Sequence, residues 1–191
     1  MSNTLEPGVV TGSQYNDLVL RCKAGGYALP AVNVTTSSTL NATLEAAARA
    51  NSDVIIQLSN GGAQFYAGKG MPDSFQAKVI GAVAAAHHTH LLAEAYGVCV
   101  VLHTDHANRK LIPWVEAMVE HGEAHHTITG QPLFSSHMLD LSADDIDFNL
   151  GECARLLTRM AKIDMSLEIE LGVTGGEEDG VVQELRGSHH F

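Results

Sequence analysis

Apolar, β-branched residues recur along the chain in short bursts, each closed by polar residues and followed by a longer stretch of helical composition. The first burst is "ALPAVNV" (28–34), which follows the Gly25-Gly26 break. Ser37-Ser38-Thr39 then gives a helix-start signal ahead of "LNATLEAAARA". "DVIIQLS" (53–59) is a second strand, closed by Asn60-Gly61-Gly62. Residues 74–96 form a long Ala-rich helical pattern, and "VCVVLHTD" (98–105) is a third strand. "LIPWVEAMVEHG" predicts a helix ending at Gly122, with His125 and His126 in the loop beyond it. A fourth strand falls at 132–140, a helix started by Ser142 runs through Lys162, and "MSLEIELG" (165–172) is a fifth strand.

Strand and helix thus alternate five times, the pattern of right-handed βαβ units around a parallel sheet. Nothing resembling a linker, low-complexity stretch or repeat divides 1–191, so one α/β domain is expected. A doubly wound sheet calls for a Gly-rich phosphate loop after its first strand. Asn33-Val34-Thr35-Thr36 stands there instead, which favours a (β/α)8 TIM barrel. A complete barrel typically needs about 250 residues. This chain is therefore expected to hold only about the first five β/α units.

Composition narrows the function classes. The net charge of −11 gives a nucleic-acid role no electrostatic footing. No apolar run approaches the roughly 20 residues of a membrane span, and "MSNTLEPGVV" lacks the plan of a signal peptide. Three widely spaced cysteines without a C-x-x-C pair point to a reducing, cytoplasmic setting.

Candidate chemistry lies at the strand ends. Asn33, Ser59, Asp105 with His106, Asp140 and Glu170 each stand at or near the C-terminal end of a predicted strand. In parallel α/β folds those ends open on one face, where ligands bind. Glu168 and Glu170 share one face of their strand. Carboxylates on an interior strand must be paired, hydrogen-bonded or metal-bound. The loop "GVTGGEEDG" adds Glu177, Glu178 and Asp179, on glycines that let it move. His106 beside a carboxylate suits a zinc-type ligand, yet one imidazole with two carboxylates is fewer nitrogen donors than catalytic zinc usually has. His87 and His90, three apart on a helix, lack a third ligand and are read as packing or surface residues, as are His125 and His126.

"YALPAVNV", "IIQLSNGGAQFYAGKG", "VVLHTDHANRKLIPWVE", "GQPLFSSHMLDLS" and "LEIELGVTGGEEDG" together resemble class II, metal-dependent fructose-bisphosphate aldolases, over about residues 15–180. The last segment, 181–191, diverges. The resemblance implies a (β/α)8 barrel, dimeric at full length, that cleaves fructose 1,6-bisphosphate to dihydroxyacetone phosphate and glyceraldehyde 3-phosphate. It implies His106 as a ligand of catalytic zinc, with Asp140 and Glu170 as ligands at a second or alternative metal position. Asp105 matches the acid/base at the aldehyde-derived oxygen, and Glu178 the loop glutamate that moves a proton on dihydroxyacetone phosphate. Asn33 and Ser59 match positions lining the substrate pocket. Further zinc histidines, phosphate loops and a monovalent-cation site are expected outside these 191 residues. Aldol cleavage needs a lysine Schiff base or a metal Lewis acid to hold the carbanion's electrons. None of the five strands contains a lysine, so the metal route is expected. An inactive half-barrel that binds metal weakly or self-associates, and a tagatose-bisphosphate aldolase, are the competing expectations.

Overall fold

The computed structural model describes residues 5–172, together with the backbone of two short strands at 176–178 and 181–183. In chain order these are β1 (Gly8–Val9), α1 (Gly12–Gly25), β2 (Ala31–Asn33), α2 (Ser37–Ala50), β3 (Val54–Leu58), α3 (Asn60–Ala67), α4 (Ser74–Tyr96) and β4 (Cys99–Thr104). They continue with α5 (Ile112–Thr129), β5 (Ser136–Leu139), α6 (Ile146–Met160), β6 (Ser166–Ile169), β7 (Gly176–Glu178) and β8 (Val181–Gln183). Strands β2 to β6 lie side by side in sequence order, all parallel, as successive crossovers of one hand produce. The antiparallel pair β7–β8 forms a separate ribbon.

The five expected strands are all present, shorter at their ends. Between them the structure departs from the sequence pattern in four places. β1 and α1 precede the first expected strand. β1 pairs with the start of β4, whose far edge it shares with β5: Val10 N donates to Val100 O, and Ser135 N to Leu102 O. Asn60-Gly61-Gly62 does not break the chain but opens α3, because the Ser59 hydroxyl caps it by accepting from Gly62 N at 3.1 Å. α5 runs on to Thr129, so His125 and His126 are helical and Gly122 is an interior residue facing Met165. α6 starts at Ile146 under an Asp145 cap, not at Ser142.

The two faces of the sheet differ. Val54, Ile56, Leu58, Val100, Leu102 and Leu139 point to the helices and form the main core with Trp114, Met118 and Leu156. On the other face, Val101 and Cys99 pack with Val10 and Leu18 of α1, and Ile55 joins them. Beyond this small apolar floor the second face turns polar toward the C-terminal ends of the strands. That change of character positions the site.

Candidate active site

The polar ends of neighbouring strands are tied to one another. Past β4, Asp105 N donates to Leu58 O at 3.1 Å, extending the ladder by one residue. Asp105 then accepts at Oδ2 from the Asn33 side-chain amide, 2.7 Å away, across from the end of β2. One residue on, His106 Nδ1 lies 3.5 Å from Asp140 Oδ2. The loops that carry this pair are joined by Asp140 N donating to Ala107 O at 2.9 Å. The Ser142 hydroxyl and amide both donate to Asp140 Oδ1, at 2.6 and 3.2 Å. Burial pushes the Asp140 carboxyl up, but the Ser142 bonds and His106 outweigh it and hold the group below its ordinary value.

The remaining expected site residues are placed less closely. Ser59 accepts from Gly62 N in the α3 cap through one lone pair, and its O–H remains a donor. Glu170 is half-buried just past β6, and its backbone carbonyl accepts from the Asn149 side chain at 2.7 Å. Glu178 belongs to β7 rather than to an irregular loop, and its side chain lies outside the described residues. The donors present fit a metal only in part. His106 and Asp140 are donors of the right chemistry for zinc and stand together. Yet no three His, Cys, Asp or Glu among the described residues are arranged to hold a metal ion, so Glu170 does not complete a set with them.

Sequence reasoning missed a polar layer directly beneath Asp105. His103 Nδ1 is 2.7 Å from Ser136 Oγ, and its Nε2 is 3.4 Å from Glu168 Oε2. Burial lowers the His103 pKa against the pull of Glu168 and Asp105. Strand parity is the signal that finds this layer: His103 and Asp105 share a face, and Thr104 faces the helices. On that opposite face Thr104 Oγ1 is 2.7 Å from Nδ1 of the fully buried His137. Two of the other clustered histidines bond backbone carbonyls. His90 Nε2 meets Leu133 O at 3.0 Å and His125 Nδ1 meets Gln131 O at 2.8 Å, holding the α5–β5 connection against α4.

The amide, the carboxylate and the imidazole–carboxylate pair gather at the C-terminal strand ends of a parallel α/β sheet, the end at which barrel enzymes bind their ligands. Residues 13–189 match the family model described as fructose-bisphosphate aldolase class-II, and the chain belongs to that family of lyases. It is 50% identical over 179 residues to fructose-bisphosphate aldolase class 2 of Escherichia coli (strain K12), covering 93% of this chain and 50% of the relative. It is 52% identical over 177 residues to a fructose-bisphosphate aldolase of Campylobacter jejuni, covering 93% of this chain and 49% of the relative. The crystal structure of fructose-bisphosphate aldolase from Campylobacter jejuni superposes with a TM-score of 0.85 at 50% identity, over 90% of this chain and 49% of that one. The chain thus spans about half the length of the curated relatives it matches, and its sheet corresponds to about half of a class II aldolase barrel. Among the described residues no helix is long and apolar enough to cross a membrane.

Proposed function

We propose that this chain supplies part of an aldolase active site, for reversible cleavage of fructose 1,6-bisphosphate into dihydroxyacetone phosphate and glyceraldehyde 3-phosphate. The observation that carries this reading is the pairing of strand ends, Asn33 with Asp105 and His106 with Asp140. Family membership adds the reaction class.

In this proposal His106 is a ligand of the catalytic zinc, with Asp140 and Glu170 as carboxylates available at a second metal position. Zinc supplies a Lewis acid at the ketose carbonyl oxygen. An ionised Asp140 beside Nδ1 of His106 favours the tautomer protonated there, which leaves the Nε2 lone pair for metal. Asn33 binds one carboxylate oxygen of Asp105 and fixes its plane, so the other oxygen is free to move a proton at the aldehyde-derived oxygen. Ser59, with an O–H to donate, belongs to the substrate pocket alongside Asn33. Glu178 moves the proton on the dihydroxyacetone phosphate carbon. The assembled enzyme is a homodimer working in the cytoplasm, a setting that suits the free Cys22, Cys99 and Cys153.

The test joins this chain to the remaining barrel of the Escherichia coli relative. It then follows solvent-deuterium exchange into dihydroxyacetone phosphate alongside cleavage. Glu178→Ala should slow the exchange, and Asp105→Ala should depress cleavage while sparing exchange relatively more. Each positioned acid/base contributes about 10²–10⁴ in rate. Loss of both activities in equal proportion in both variants would refute the division of labour.

A further inference from the structure

We propose that Arg109 is a positioning residue that clamps the β4–α5 loop to the β5–α6 loop and so presents His106 and Asp140 as one preset pair. The inference rests on the reading of His106 as a metal ligand. Three ties cross between these loops. Two lie at the pair itself: the Asp140 N to Ala107 O bond, and the 3.5 Å approach of the two side chains. The third lies farther out. Arg109 Nη1 donates to Asp144 Oδ1 at 3.1 Å, and the guanidinium carbon sits 4.0 Å from the centre of the Phe148 ring in the first turn of α6. The Asn108 side chain, accepting from Lys110 N at 3.0 Å, turns the chain so that Arg109 can reach across.

Arginine suits this task because its flat, charged head can pair with a carboxylate and stack on a ring at once, which a lysine ammonium does not do. The pair is mostly solvated at the arginine end (62% exposed, against 21% for Asp144), so its contribution to global stability is small. Its effect is local. Without it, the outer halves of both loops lose their only described ion pair to each other, and His106 and Asp140 must be ordered when metal binds. Outer partners of metal ligands commonly change affinity 10–100-fold.

Hydrogen–deuterium exchange of peptides covering 105–111 and 140–148, read by mass spectrometry over a zinc titration, tests this on the intact chain. In the wild-type chain zinc should slow exchange in both peptides, and His106→Ala should abolish that protection. Arg109→Ala and Asp144→Ala should each speed metal-free exchange in both peptides. Each should also raise the zinc concentration for half-protection about tenfold, with the thermal unfolding midpoint little changed. Unchanged exchange and unchanged zinc dependence in both variants overturn the proposal, as does faster exchange with an unaltered zinc dependence. If zinc protects the His106→Ala chain as well as the wild type, or protects neither, the ligand reading of His106 has failed. The positioning role of Arg109 falls with it, and faster metal-free exchange in the two variants would then show only a structural link between the loops.

Discussion

His137 is a buried ring that contributes to the response of this protein to acid. It lies wholly buried on the helix side of β5, with Phe134 5.0 Å away and no hydrogen-bond partner at Nε2 among the described residues. Burial, with help from His103, pushes its pKa down to about 3. An unfolded chain takes up this proton near pH 6.5, and the folded chain does not. Between about pH 6.5 and 3 the unfolded state therefore binds more protons, and stability falls as pH falls. The slope from one such ring is at most about 1.4 kcal/mol per pH unit, and His103, shifted the same way by burial, adds to it. Urea unfolding at pH 7.5, 6.0 and 5.0 should show this loss, and His137→Asn should flatten the slope even though it lowers the stability itself. Parallel slopes for the two proteins would show that the ring is not the source.

Among the elements, α3 and α4 approach backbone to backbone at Gly81. A Cβ built on Gly81 of α4 would stand 1.8 Å from the Ala63 carbonyl oxygen and 2.8 Å from its carbon, both backbone atoms of α3. Neither can yield without moving a helix, so Gly81→Ala should destabilise by about 1–3 kcal/mol or more. Gly151→Ala on α6, where a Cβ meets nothing within 4 Å, should be neutral or stabilising. Denaturant midpoints for the two variants decide the point, and a harmless Gly81→Ala would mean the helices are free to separate. A second close approach explains what the sequence concealed. Two glycines beside Asn60 look like punctuation, whereas in the structure Gly62 sits where a Cβ would come within 3.3 Å of Val34 O. β4 was legible because both of its faces are buried, so that it opens on a continuous apolar run from Cys99 to Leu102. β1 was not, since two residues carry no period, and α1 buries only Leu18 as a core residue. In the site, the strand-end positions could be read from order along the chain. The Asn33–Asp105 bond, which spans 72 residues, could not.

At the scale of the whole molecule, the sheet has two open sides. Among the described residues β2 pairs only with β3 and β6 only with β5, leaving a free edge on each. Beside β2 an apolar groove of about 450 Å3 is lined by Pro30, Val32, Ala42, Ala46 and Ala47, and near β6 Leu171 is 62% exposed. Open edges next to apolar surface favour association, so the 191-residue chain on its own should self-associate. Sedimentation velocity over a concentration series should show it, and a clean, cooperatively unfolding 20.3 kDa monomer would contradict it. The arrangement of β1 has a different consequence, one of timing. Glu6, just before β1, accepts from the Cys99 thiol, 93 residues further along the chain. At about 5–20 residues per second of synthesis, β1 leaves the ribosome on the order of 5–20 s before β4 exists to receive it. During that interval β1 has no ladder to join and α1 no floor to cover. A strand made early thus waits for one made later to give it its place.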